Sequence, residues 1–201
     1  MPAMTVATME VPVEVVNALV WLFLAVMSVG FVVWVLVKGA NPRPSVVRVY
    51  IAGTVSGNQK DSVVDQDYRQ KIAFVLQPYS DVLVYDPLVG NEDSLLYNDK
   101  EARQMFEGCL ERIRSKTDVV IAYIPEASMG TAIELYEAKK YGKFVIIISP
   151  LSDNWVVRLY GDMVFVSLDA FVDRVVRGGF DGILNARYND FTGKPEIVAR
   201  N

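Results

Sequence analysis

The sequence contains no histidine and a single cysteine, Cys109. The first absence removes histidine-based acid, base and nucleophile mechanisms and the common zinc sites. The second leaves no partner for an internal disulfide, so nothing points to a stapled secreted fold. Basic residues are also in deficit: 20 Lys and Arg stand against 24 Asp and Glu, a formal net charge of −4 that argues against a nucleic-acid partner. Neither a GxGxxG dinucleotide fingerprint nor a GxxxxGK[ST] phosphate loop occurs, which disfavours ordinary NTP hydrolysis. No metal and no cofactor is implied; only a carboxylate-held divalent ion stays open.

What is present is apolar residue in excess, 52% of 201 residues, and it is unevenly spread. Val15 to Val37 runs 23 residues without a charge, interrupted only by Asn17, Ser28 and Gly30. As a helix it reaches roughly 35 Å against a hydrocarbon core of about 30 Å, which predicts one transmembrane helix over residues 15–37. The acidic flank, Glu10 and Glu14, and the length of the run argue against a cleaved signal peptide. Lys38, Arg43 and Arg48 follow the span, so the positive-inside tendency places residues 1–14 outside and the domain beyond in the cytoplasm, a single-pass arrangement with the lipid bilayer as a partner. Residues 38–45 form a short Pro-containing linker. Glu10 and Glu14 offset Lys38 and Arg43, so the −4 belongs to the chain from Val46 onward.

From Val46 the pattern alternates. Val46–Ala52, Val82–Tyr85, Asp118–Ile124, Phe144–Ile148 and Met163–Val166 read as strands. Gln66–Gln77, Lys100–Lys116, Gly130–Tyr141 and Asp169–Val176 read as helices, the second with Met105, Phe106, Cys109, Leu110 and Ile113 on one stripe. Nearly continuous apolar strands alternating with helices predict an α/β fold, a Rossmann-like (flavodoxin-like) doubly wound parallel five-stranded sheet over residues 46–177. Residues 178–201 are a tail without an assigned role. In such a sheet, ligands bind at the carboxyl ends of the strands where strand order reverses.

Three loops fall there. After the first strand, YIAGTVSGNQ supplies Tyr50, Gly53, Thr54, Ser56 and Gly57, in either a ligand loop or an ordinary turn. The second strand ends at Asp86 and opens a long polar loop to Asn98. After the third, PEASMGTAIE places Ser128, Gly130 and Thr131 at a helix start, where free backbone N–H groups and the helix dipole can hold a phosphate. Glu134 follows about one turn later, where a carboxylate suits attack at an anomeric carbon. Equally, Ser128 can simply cap the helix and Glu134 complement its dipole. For Cys109 the plain reading is a small buried hydrophobe.

YIAGTVSG together with DVVIAYIPEASMGTAIELYEAKKYGKFVIIISP, residues 118–150, resembles the nucleoside 2-deoxyribosyltransferase superfamily, which includes the 2-deoxynucleoside 5-monophosphate N-hydrolases. The resemblance spans roughly residues 46–176. It implies cleavage of, or transfer at, the N-glycosidic bond of a (deoxy)nucleoside 5-monophosphate, with Glu134 as nucleophile and Tyr50 positioning it. It puts Ser128 at the 5-phosphate, where a serine donates and a carboxylate would repel. The family's proton-donating aspartate falls near Cys109; of the acids close by, Asp99, Glu107 and Glu111, it is Glu107 that is expected to reach the site. Homo-oligomers are implied, with Ser152 and Asn154 as residues contributed near a neighbouring subunit. The alternatives are a catalytically weak, membrane-tethered nucleotide-binding or sensing domain and an NAD glycohydrolase.

Overall fold

The computed structural model describes residues 17, 20–28, 44–55, 64–189 and 196–198. The chain divides into two compact units, Met1–Arg43 and Pro44–Asn201. In the first, residues 20–28 are helical with Trp21, Leu22 and Phe23 exposed. The rest of the expected span, apart from Asn17, lies outside the described residues. Among the described residues no helix is long and apolar enough to cross a membrane.

The second unit carries strands β1 (Val47–Gly53), β2 (Val82–Tyr85), β3 (Val119–Tyr123), β4 (Phe144–Ile148), β5 (Met163–Phe165) and β6 (Glu196–Val198). Its helices are α1 (Asp67–Leu76), α2 (Asp99–Lys116), α3 (Met129–Lys140), α4 (Trp155–Tyr160), α5 (Leu168–Gly178) and α6 (Phe180–Asn189). The sheet order is β2-β1-β3-β4-β5-β6 and every pair is parallel. The five expected strands are therefore present in doubly wound order, and a sixth, drawn from the tail, extends one edge. Strand order reverses between β1 and β3, whose last residues Gly53 and Tyr123 are in register.

Alternation along β1 decides what lies on each face, because successive side chains point to opposite sides. Val47, Val49 and Ile51 join the core beneath α1, α5 and α6, whereas Tyr50 and Ala52 face α2, α3 and α4. Helix α2 starts where a capping box fixes it. Asn98 Oδ1 accepts from the Lys100 and Glu101 N–H groups, and Glu101 Oε2 accepts from the Asn98 N–H.

The boundary expected at residue 177 is corrected by the structure. Helix α6 places Phe180, Ile183 and Leu184 fully in the core, and the Phe180 N–H donates to the Tyr79 hydroxyl at 2.9 Å. Residues 180–189 thus belong to the domain; Gly and Asn near them in sequence concealed a short amphipathic turn of core. Phe180→Ala is expected to lower stability by about 3–5 kcal/mol, seen as a lower urea midpoint. An unchanged midpoint would detach this helix from the core.

Candidate active site

A cavity of about 890 Å³ opens at the β1/β3 switch point. Its floor is Ala52 and Gly53 at the end of β1, one wall is the inner stripe of α2, and the opposite wall is the start of α3. Gly53 is needed there, since a Cβ would lie 2.3 Å from the Tyr68 hydroxyl and 2.9 Å from the Tyr123 carbonyl oxygen. The loop after β2 contributes Pro87, Leu88, Ser94 and Leu95.

Glu134 lines the cavity from one turn inside α3 and is only 8% exposed. The Tyr50 hydroxyl, fully buried on the facing side of β1, donates to Glu134 Oε1 at 2.7 Å. The Tyr50 ring stacks on Tyr85 with centroids 5.8 Å apart, and the Arg112 guanidinium caps Tyr85 at 3.6 Å. Cys109 belongs to the same buried cluster as Tyr50 and also lines the cavity.

Burial penalises the charged form of all three groups. It raises the Glu134 carboxyl to about 7, against the lowering effects of the Tyr50 hydrogen bond and the Arg69 charge. It pushes the Tyr50 phenol well above its ordinary value, with the Glu134 charge adding to the rise. The Cys109 thiol is raised as well, burial again being the largest cause.

Arg69 is the cavity residue that sequence reasoning missed. It is 4% exposed, on the buried face of α1 beside Tyr68 and Ile72. Its Nη1 donates to Asp86 Oδ1 at 2.8 Å and to the Ile51 carbonyl at 3.1 Å, while Nε donates to Gln66 Oε1 at 2.8 Å. An arginine inside the apolar stripe of an amphipathic helix was the available signal, because a buried cation demands partners.

The other expected residues divide. Ser128, Gly130, Thr131 and Asn154 line the cavity. Ser128 is the N-cap of α3, its Oγ accepting from the Thr131 N–H at 3.4 Å and the Thr131 hydroxyl at 3.0 Å. Asn154 caps α4 through the Val156 N–H at 2.9 Å. Thr54 is fully buried, bound to the Tyr123 and Glu126 carbonyls, and does not line the cavity. Asp86 is turned to Arg69 and to the Leu88 N–H at 3.0 Å, so it braces the cation and is not itself part of the wall. Ser152 is likewise outside the wall. Ser56 and Gly57 lie outside the described residues.

Glu107 is a correction. Its side chain is 67% exposed and faces Arg103 at 3.8 Å, while Ala102, Met105, Phe106 and Cys109 form the cavity stripe. Two residues from Cys109 means about 200° around the helix, so Glu107 points away from the site. Among the described residues no three His, Cys, Asp or Glu side chains come together as metal ligands.

No protein-family model and no curated protein matches the sequence. Among solved structures, one similar chain is a 2-deoxyribosyltransferase from the psychrotolerant bacterium Bacillus psychrosaccharolyticus. It is 20% identical, with 63% of this chain and 91% of that chain covered, at a TM-score of 0.46. A likeness of that degree says nothing about chemistry, so function rests on the geometry of the cavity.

The raised Glu134 carboxyl ties stability to pH. Between its ordinary value of 4.5 and about 7, the folded chain keeps a proton that the unfolded chain has lost. The contribution of Glu134 to stability is therefore full below about pH 4.5 and falls as pH rises towards 7. Glu134→Gln is expected to flatten that fall and to give a higher denaturation midpoint than wild type at pH 8. A midpoint below wild type at that pH would contradict the raised carboxyl.

Proposed function

We propose that the domain cleaves, or transfers at, the N-glycosidic bond of a (deoxy)nucleoside 5-monophosphate, with Glu134 as nucleophile. The observation that carries this reading is the buried hydrogen bond from Tyr50 to Glu134, a residue that lines a cavity together with the first turn of α3. A helix start offers backbone N–H groups without intrahelical partners and a positive dipole end, which suits a phosphate. Ser128, Gly130 and Thr131 supply that turn. Glu134, one turn further on, then stands one sugar away from the phosphate, at the anomeric carbon. Its carboxylate attacks C1, the base leaves, and water or a second base takes the sugar from the glycosyl ester. Tyr50 holds the attacking oxygen and lowers the cost of its charge.

The uncharged run at residues 15–37 makes the same proposal a membrane-anchored one. The positive flank after that run supports a cytoplasmic site.

Incubation of the full chain with deoxynucleoside monophosphates, with free base read by chromatography, tests the reading. Wild type and Glu107→Gln are expected to release base at equal rates, and Glu134→Gln to lose at least ~10³-fold. Binding by thermal shift without release from wild type would instead make this a nucleotide-binding domain. Because the nucleophile must be ionised, release should rise with pH through about 7. Tyr50→Phe removes a bond that lowers the Glu134 carboxyl, so the rise should move to higher pH. An unmoved profile would remove Tyr50 from the mechanism. Ser128→Asp is expected to weaken monophosphate binding at least tenfold, roughly 1.4 kcal/mol, without weakening free nucleoside; an equal effect on both ligands would remove Ser128 from the phosphate site.

A further inference from the structure

A purine or pyrimidine leaving a sugar as an anion needs a proton, and a positioned acid supplies it at a gain of about 10²–10⁴ in rate. Among the described residues, the ionisable groups on the cavity wall are Arg69, Cys109 and Glu134. Arg69 has its donors taken by Asp86, Gln66 and the Ile51 carbonyl. The Cys109 thiol is a weak acid made weaker by burial. Glu134 is the nucleophile in the proposed function, and the Tyr50 proton is already given to it. The neighbouring carboxylates are elsewhere: Asp86 is held by Arg69 and the Leu88 N–H, and Glu107 and Glu111 stand on the exposed side of α2.

The rest of the cavity wall is largely soft and apolar. Met105 and Phe106 come from α2 and Leu88 and Leu95 from the loop after β2, and the Phe106 ring edge approaches the space above Gly130, 3.9 Å from where a Cβ there would sit. A wall of aliphatic, thioether and aromatic groups, with no free carboxylic acid among the described residues facing Glu134's substrate, suits a base that departs without taking a proton.

Resting on the N-glycosidase reading, we propose that the substrates of this site are nucleotides whose base is already cationic at the glycosidic nitrogen or made so by alkylation, the N-ribosyl pyridinium and N7-alkylpurine class. Such a base needs no proton. As a Glu134 oxygen bonds to C1, the C1–N bond breaks, its electron pair passes to the ring, and the base departs neutral. Water then attacks C1, the glycosyl ester bond breaks to return the Glu134 carboxylate, and the proton from water goes to solvent. The overall products are the sugar phosphate, the neutral base and one proton.

The test uses the full chain and a pair of substrates differing by one methyl group, 7-methyl-2-deoxyguanosine 5-monophosphate and 2-deoxyguanosine 5-monophosphate, with nicotinamide mononucleotide as a third. Base release is measured after subtracting release without protein. The methylated and pyridinium substrates are expected to exceed the uncharged one in kcat/KM by at least ~100-fold. The nicotinamide mononucleotide rate should rise through about pH 7 and stay level to about pH 9, because no acid is lost at high pH and the pyridinium ring has no proton of its own to lose. In Cys109→Asp, which adds a carboxylic acid to this wall, the ratio of guanine release to 7-methylguanine release should rise at least ~10-fold. Should that variant not fold, the pair of wild-type rates still decides. Equal release of guanine and 7-methylguanine, abolished by Glu134→Gln, would overturn this inference and leave the glutamate mechanism standing. A high-pH fall for nicotinamide mononucleotide would also overturn the inference. No release from any substrate would overturn the N-glycosidase reading and the inference together.

Discussion

Taking the Glu134 carboxyl out of water raises the cost of its charge, and the Tyr50 hydroxyl is the first group that offsets it. That requirement reaches outward through the fold. Tyr50 can serve only if β1 turns it to the α2 and α3 side, which the alternation of the strand enforces, and only if its ring stays fixed. The stack on Tyr85, itself covered by Arg112, supplies the second condition. Arg69 is the second offset to the carboxylate, and it is itself a buried charge that needs satisfying. Asp86, a side-chain amide and a main-chain carbonyl do so. The glutamate, the tyrosine and the Arg69–Asp86 pair therefore form one electrostatic unit assembled from β1, α1, the end of β2 and α3.

The switch point adds a different kind of constraint. The main chains of β1 and β3 diverge into separate connections there, and the space left between them is the cavity. Gly53 keeps that space usable, because any side chain would drive into Tyr68 and the Tyr123 carbonyl. The start of α3 then brings polarity to a wall that is otherwise apolar. Charge is scarce in the cavity, and in a low dielectric the few charges present act strongly on one another.

Much of this was legible beforehand. The five expected strands and four of the helices are where β-branched runs and helical spacing put them, because burial leaves an apolar signature in the strands. Glu134, Ser128, Gly130 and Thr131 were visible because they sit close together on one turn and helix. Even the outward position of Glu107 was implicit: the stripe of Met105, Phe106 and Cys109 had already set the phase of α2, and Glu107 is off it. Arg69 and the true role of Asp86 were not visible. They are seventeen residues apart in sequence and meet only because α1 crosses over β1 to lie near the end of β2. The core residues of α6 were hidden for a related reason, since a helix of about ten residues among glycines and asparagines has too short a period to stand out.

The sequence by itself determined the periodicities, hence the class of fold, the ends of the strands and the helix start with its serine cap, all of which depend on residues within a turn or two of one another. It also determined the apolar run at residues 15–37 and the location of the net charge beyond it. Only the tertiary structure decided which ionisable groups share the cavity, that Tyr50 meets Glu134 across 84 residues of sequence, and that Asp86 is taken by Arg69. The physical reason is that desolvation and pairing of charge depend on distances between elements, and parallel strands bring together side chains whose separation along the chain carries no trace of their contact.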